Sequence, residues 1–218
     1  MEWPTLIVDN FFTNPHDIVK LSQTFKYKRD VDNAWPGTRT LSMHIENNDF
    51  FLWSTNKIIS LLYPAQALEK NKLTWQATQY FQRIPYEIYG ADGWIHRDSD
   101  TQFTTIIYLS NHFQSGTCLY EGTNFNMSPK YIKEKRDFYK NLKNRKRMEK
   151  YREKTNSEFN KKVELFSNFN RLVLFDGANW HASRNSGNDK SERLTLITFF
   201  TDIAGKDIRY PIPQMRRV

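Results

Sequence analysis

The stretch Arg171-Leu172-Val173-Leu174-Phe175-Asp176-Gly177-Ala178-Asn179-Trp180-His181 decides how this chain reads. A short apolar run rich in branched and aromatic side chains ends at Asp-Gly, a turn signal, with an imidazole just past the turn. Runs of the same kind occupy residues 73–83, 101–109, 117–121 and 193–201. Gly90, Gly93, Gly116, Gly122 and Gly177 supply the turns of this half. Short strands at such spacing predict an antiparallel sandwich or jelly-roll barrel. Upstream, residues 5–8 read as a strand. Asn14-Pro15 opens a helix reaching about Phe25, with Asn14 as its cap. Trp35-Pro36-Gly37 marks a turn, and Asn48 caps a second helix over residues 49–62, stopped by Pro64.

Length and composition bound the rest. The chain has 218 residues, 39% hydrophobic and 15% aromatic. That suits one domain over residues 1–218 with a real core, burying roughly 70% of its unfolded surface. Such aromatic content excludes a disordered chain. No apolar run approaches the roughly 18 residues of a membrane span, and residues 1–12 lack the pattern of a secretory signal. A single cysteine, Cys118, excludes an internal disulfide framework and a cysteine-cluster zinc site. A reducing, cytoplasmic setting is the expectation.

The net charge of +8 is concentrated. Residues 128–166 hold 14 Lys+Arg and 6 Asp+Glu, leaving 18 basic and 18 acidic residues elsewhere. This segment is rich in helix formers and lacks glycine. It reads as a basic insertion, helical over residues 129–154 with a polar tail to about 162. Tyr131, Phe138, Leu142 and Tyr151 contribute an irregular apolar stripe. Such a run is either a solvated helix or a basic arm for an acidic partner.

Three elements carry chemistry. In Trp94-Ile95-His96-Arg97-Asp98, residues two apart point to one side of an extended segment, so His96 and Asp98 can share a metal ion. Asp100 has the same parity and is the rival carboxylate. His181 can join them, because a jelly roll brings distant strands together. Two imidazoles and one carboxylate on one face suit non-heme Fe(II), and zinc with a water as well. Arg193 and Thr195 share a strand face with Ile197 and Phe199. A buried arginine on an apolar face needs an anion, and its fork matches a carboxylate. The co-substrate 2-oxoglutarate offers such a carboxylate at one end and a chelating 2-oxo acid at the other.

The ordered set Tyr86, Gly90, His96-x-Asp98, Ile106-Ile107-Tyr108-Leu109, Ser115-Gly116-Thr117, residues 171–176, Trp180-His181-Ala182 and Arg193-Leu194-Thr195-Leu196 resembles the Fe(II)/2-oxoglutarate-dependent dioxygenases, in their prolyl 4-hydroxylase-like branch. The resemblance spans residues 86–201 apart from the basic insertion. It implies a double-stranded β-helix (jelly roll), an α+β fold with a mainly β core. N-terminal helices and a charged helical insertion (128–166) complete it. It implies His96, Asp98 and His181 as iron ligands and Arg193 on the distal carboxylate of 2-oxoglutarate. Tyr108, Thr195 and Tyr86 complete that pocket, with Tyr89 competing for the place of Tyr86. The 12-residue step from His181 to Arg193 is longer than in several animal relatives, and many prolyl 4-hydroxylases have lysine in place of the arginine.

The expected activity is that of a hydroxylase. It couples decarboxylation of 2-oxoglutarate to succinate with oxidation of a peptidyl proline or another amino-acid-type substrate, ascorbate being an optional helper. The expected partner is a small-molecule or peptide substrate, with an acidic partner for the basic segment as an option and nucleic acid not expected. No membrane is expected. A nucleic-acid-modifying oxygenase and a silent jelly-roll binding module are the alternatives. Trp94 reads equally as a substrate-facing wall or as packing. His44-x-Glu46 reads as a structural pair, His16 and His112 as helix-start and loop residues, and Cys118 as packing.

Overall fold

A computed structural model of the chain describes residues 3–32, 35–63, 73–85, 92–98, 100–111, 115–122, 128–140, 145–184 and 192–205. Nine strands form two antiparallel sheets among these residues. The larger has the order β1 (Leu6–Val8), β7 (Leu172–Asp176), β4 (Phe103–Tyr108), β9 (Arg193–Gly205), β3 (Leu73–Ile84), β2 (Thr38–Arg39). The smaller has the order β6 (Phe159–Phe166), β5 (Gly116–Gly122), β8 (Trp180–Arg184). The segment carrying His96 extends the smaller sheet through a bridge to His181. These are the facing sheets of a jelly roll.

Period-two alternation divides the larger sheet into a structural face and a chemical face. Leu194, Leu196 and Phe200 of β9 join Phe81, Phe103, Ile107, Leu172 and Leu174 in the main core. The helices α1 (Pro15–Gln23), α2 (Met43–Glu46) and α3 (Asn48–Ile59) cover this core, with Met43, Phe50, Ile58 and Ile59 buried in it. The intervening residues Arg193, Thr195 and Ile197 face the smaller sheet and line a cavity. Tyr108, Val173 and Phe175 pack on Leu119 and Leu165 between the sheets.

The helix expected after Asn48 is capped one residue earlier, because the Asn47 side chain accepts the Phe50 amide proton at 3.0 Å. Asn14 opens α1 without a side-chain cap bond. Gly37 sits at φ +73°, where a Cβ would meet the Arg83 carbonyl oxygen at 2.0 Å, so the turn before β2 requires glycine.

The charged segment departs from expectation at its end. It forms two helices, α4 (Pro129–Lys140) and α5 (Arg145–Asn156), and the expected polar tail is strand β6. Lys161 and Lys162 face outward while Leu165 enters the core, and β6 lies at the edge of its sheet. Charge on an edge strand blocks further pairing and masks the strand in the sequence. Strand β8 was likewise not foreseen. Leu142 lies outside the described residues, as do Tyr86, Tyr89, Gly90 and His112. No described helix is long and apolar enough to cross a membrane.

Candidate active site

Trp94, His96 and Asp98 lie on one side of an extended segment that runs along β8. The His96 amide donates to the His181 carbonyl at 2.9 Å, and the His181 amide donates to the His96 carbonyl at 2.8 Å. This pairing sets the rings 4.4 Å apart, centroid to centroid. The Asp98 amide donates to the Gly177 carbonyl at 3.1 Å. Gly177 packs so closely on the chain at Thr101 that a Cβ there would lie 2.2 Å from the Thr101 carbonyl oxygen. The turn after β7 therefore holds the Asp98 backbone through a residue that must be small.

One ligating atom from each of His96, Asp98 and His181 lies within 4.8 Å of the other two. The Nε2 atoms of His96 and His181 lie 3.8 and 3.5 Å from the Asp98 carboxylate oxygens. Each ring places Nδ1 on a backbone carbonyl, Trp94 O at 2.8 Å for His96 and Asn179 O at 2.9 Å for His181. A carbonyl only accepts, so each Nδ1 carries the proton and each Nε2 lone pair points into the cluster. Desolvation, reinforced by the neighbouring Lys135 cation, holds the His96 pKa well below its usual 6.5, which keeps the ring in the neutral, ligating form. The Thr104 hydroxyl donates to Asp98 Oδ2 at 2.5 Å and fixes the carboxylate. These donors fit a divalent transition metal. Asp100 is exposed, at φ +60°, and stands outside the cluster.

The cluster opens into a cavity with about 700 Å³ of space including its mouth. Arg193, 4% exposed, and Thr195, 1% exposed, line it from β9, with Thr117 opposite. The Arg193 guanidinium lies 5.1 Å from the ring centroid of Tyr108. The Tyr108 hydroxyl shares a 2.8 Å hydrogen bond with Thr117. Tyr108 thus supports Arg193 and Thr117 from behind. His44 lies away from this centre, with Nδ1 2.7 Å from the Ser42 hydroxyl and its ring on Phe51. His16 packs on Phe169, and Cys118 is buried in β5.

Trp94 is fully buried in the cavity wall, and its ring packs on Tyr131, Phe138 and Tyr151 of α4 and α5. Both readings of it hold a share: it lines the cavity and it docks the insertion. Three further ties fix these helices. The Tyr131 hydroxyl donates to the Ile95 carbonyl, and Arg29 donates to the Tyr139 carbonyl. Asn156 donates to the Gly93 carbonyl at 2.9 Å and accepts from the Ile95 amide at 3.3 Å. The insertion therefore packs on the segment that carries His96 and Asp98. Lys135 and Tyr139 of α4 line the cavity directly, and Arg39 of β2 joins them. The sequence reading missed Thr104, Arg39 and Lys135. Lys135 sits four residues from Tyr131 on the same helical face, a lysine where the stripe predicts an apolar residue.

The fold is shared with solved 2-oxoglutarate-dependent enzymes. One is the non-heme alpha ketoglutarate dependent epimerase SnoN from nogalamycin biosynthesis (TM-score 0.55, 10% identity, 96% of this chain and 89% of that chain). Another is HygX from Streptomyces hygroscopicus with nickel and 2-oxoglutarate bound (TM-score 0.54, 12% identity, 95% and 84%). A third is a prolyl hydroxylase from Trichoplax adhaerens in complex with a hypoxia inducible factor peptide fragment (TM-score 0.50, 14% identity, 90% and 82%). A search of curated proteins finds no sequence match. Over residues 2–200 the chain matches the model of the family of unknown function DUF6445, and so it belongs to that family.

Proposed function

We propose that this protein is an Fe(II)- and 2-oxoglutarate-dependent oxygenase, acting as a hydroxylase on a small-molecule or peptide substrate. One observation carries the reading. Two cavity-facing imidazole lone pairs and a braced carboxylate converge on a cavity whose β9 wall holds a buried arginine.

His96 and His181 would hold the metal through Nε2, and Asp98 through its carboxylate. The Trp94 and Asn179 carbonyls keep both rings in the required tautomer. Thr104 keeps the carboxylate turned inward. Arg193 would take the distal carboxylate of 2-oxoglutarate, with the Thr195 hydroxyl beside it on the same strand face. Tyr108 acts from behind the arginine. Bound there, Fe(II) with 2-oxoglutarate supplies oxygen activation: one oxygen atom of dioxygen enters the substrate C–H bond and the other enters succinate as carbon dioxide leaves. Trp94, Tyr139 and Lys135 close one side of the cavity against bulk water.

Anaerobic addition of Fe(II) and 2-oxoglutarate is expected to give a weak visible charge-transfer band. Exposure to dioxygen is then expected to release succinate. Absence of both metal uptake and the band would leave a jelly-roll binding module instead.

A further inference from the structure

Arg39 and Lys135 reach the cavity from opposite origins, one from edge strand β2 and the other from α4. Among the described residues, neither side chain has an ion-pair or hydrogen-bond partner, and the buried Nε of Arg39 is unsatisfied. Arg39 is held in place by aromatic rings instead. Its guanidinium lies 4.3 Å from the Trp35 ring centroid, 5.6 Å from that of Tyr80 and 5.5 Å from that of Phe199. Burial pulls the Lys135 pKa down to about 8 and that of Arg39 to about 10, so both are cations at neutral pH. Both line the cavity that holds His96, Asp98 and His181, and the carboxylates that act on them are Asp98 for Lys135 and Asp98 with Asp30 for Arg39.

These cations are not part of the expected co-substrate site. Arg39 is set in β2, level with Gln82 of β3 and Thr195 of β9, so two strand spacings, roughly 10 Å, separate its backbone from the β9 wall that holds Arg193. Asp98 does not neutralise them either. Among the described residues it is the only acidic one lining the cavity, against Arg39, Lys135 and Arg193. A divalent metal and a dianionic co-substrate would leave two positive charges unbalanced there. Two half-buried like charges without a counter-ion cost stability. A ligand that supplies the missing charge explains their retention.

We propose, on the reading that this cavity is the active site, that the oxidised substrate is a small molecule bearing a carboxylate or phosphate group, bound by Arg39 and Lys135. The anion anchors the molecule over Trp35 and beside the metal. The insertion is then a wall of the substrate pocket, with Lys135 as its recognition residue.

The test uses metal-free full-length protein, titrated calorimetrically with malonate and, separately, with inorganic phosphate at constant ionic strength. Wild type is expected to bind two anions per chain. The Arg39→Gln/Lys135→Gln double variant should lose one of them or bind it at least tenfold more weakly, a charged hydrogen-bonding partner having been removed. Arg193→Gln should lose the other. Whichever probe binds the Arg39–Lys135 site more tightly names the group. Unchanged stoichiometry and affinity in the double variant, or no uptake by wild type, overturns the proposal.

Thermal melting without anions supplies a second readout. Lys135→Met should raise the melting temperature, since an uncompensated buried charge is removed; a fall would assign Lys135 to packing and overturn the proposal. Finally, products gaining one oxygen atom from a metabolite extract should be anionic, and a neutral or cationic product would overturn it. The binding measurement needs no metal. A chain without oxygenase activity that still shows the double-variant loss therefore refutes the catalytic reading and leaves the anion site standing.

Discussion

His96 and His181 are backbone partners as well as side-chain neighbours: each donates its amide proton to the carbonyl of the other, at 2.9 and 2.8 Å. The two imidazoles, 85 residues apart in the chain, are thereby held by the same pair of hydrogen bonds that ties their segments into one sheet. Movement of either segment would disturb both rings, so the geometry of the His96–Asp98–His181 cluster is built into the sheet.

The carboxylate gives the sharpest test of the cluster. Asp98→Ala should weaken Fe(II) or Ni(II) binding by roughly 100-fold or more, and Thr104→Val by about 10-fold, since the partner of a ligand affects affinity less than the ligand itself. Metal content after dialysis and direct titration measure both. Tight metal in Asp98→Ala would assign the third donor to another residue.

Arg193 should separate co-substrate from metal. Arg193→Gln is expected to weaken 2-oxoglutarate by about 100-fold, from loss of a two-point charged contact. Metal affinity should stay unchanged. Tyr108→Phe removes only the hydroxyl bonded to Thr117, and its effect should be several-fold smaller. Equal losses in the two variants would contradict the supporting role given to Tyr108.

Trp94 docks the insertion, so shortening it should act on stability as well as on the cavity. Trp94→Ala is expected to cost about 3–5 kcal/mol in chemical denaturation, the usual loss for a buried large aromatic. Asn156→Ala should cost about 1–3 kcal/mol, because the Ile95 amide and Gly93 carbonyl both lose a partner. Hydrogen exchange in α5 should rise in both variants. An unchanged exchange pattern would mean that the helices are held by other contacts.

A pH test falls on the Asp9–Arg171 pair, which ties the end of β1 to the start of β7. The guanidinium donates to both Asp9 oxygens, at 2.6 and 2.8 Å, and its hydrogen bonds lower the Asp9 pKa below its ordinary 3.8. A carboxyl whose folded pKa is depressed stabilises the fold above the unfolded value, and that contribution disappears as pH falls through the folded value. Asp9 is half exposed, at 53%, so solvent screening keeps the gain of the pair below about 1 kcal/mol. Asp9→Asn should therefore lower stability slightly at pH 7, and the difference from wild type should shrink as the pH is lowered into the acid range through the depressed folded pKa. Urea melts at pH 7 and across that range measure the difference.

Much of this molecule was legible along the chain. Strands β3, β4, β5, β7 and β9 announce themselves, because their side chains meet a core on at least one face and must be apolar or branched there. His96, His181 and Arg193 stand out as polar groups set against such strands. Strand β6 does not stand out. It lies at a sheet edge, where Lys161 and Lys162 are exposed and Glu164 is half-buried against Arg184, and its sequence resembles the charged helices before it. Strand β8 is short, and its polar inner residues His181 and Ser183 face the cavity, so it carries no apolar alternation.

Sequence alone determined the alternating faces of the strands, the local His96-x-Asp98 pairing and the basic character of one segment. These are properties of neighbouring residues and of strand or helix period. The resemblance also named His181, but only the tertiary structure decided that it is the backbone partner of His96, that Thr104 braces Asp98, and that Arg39 and Lys135 converge from distant elements on one cavity. Those relationships depend on long-range register and on where α4 packs, and long-range packing leaves no periodic trace in the chain.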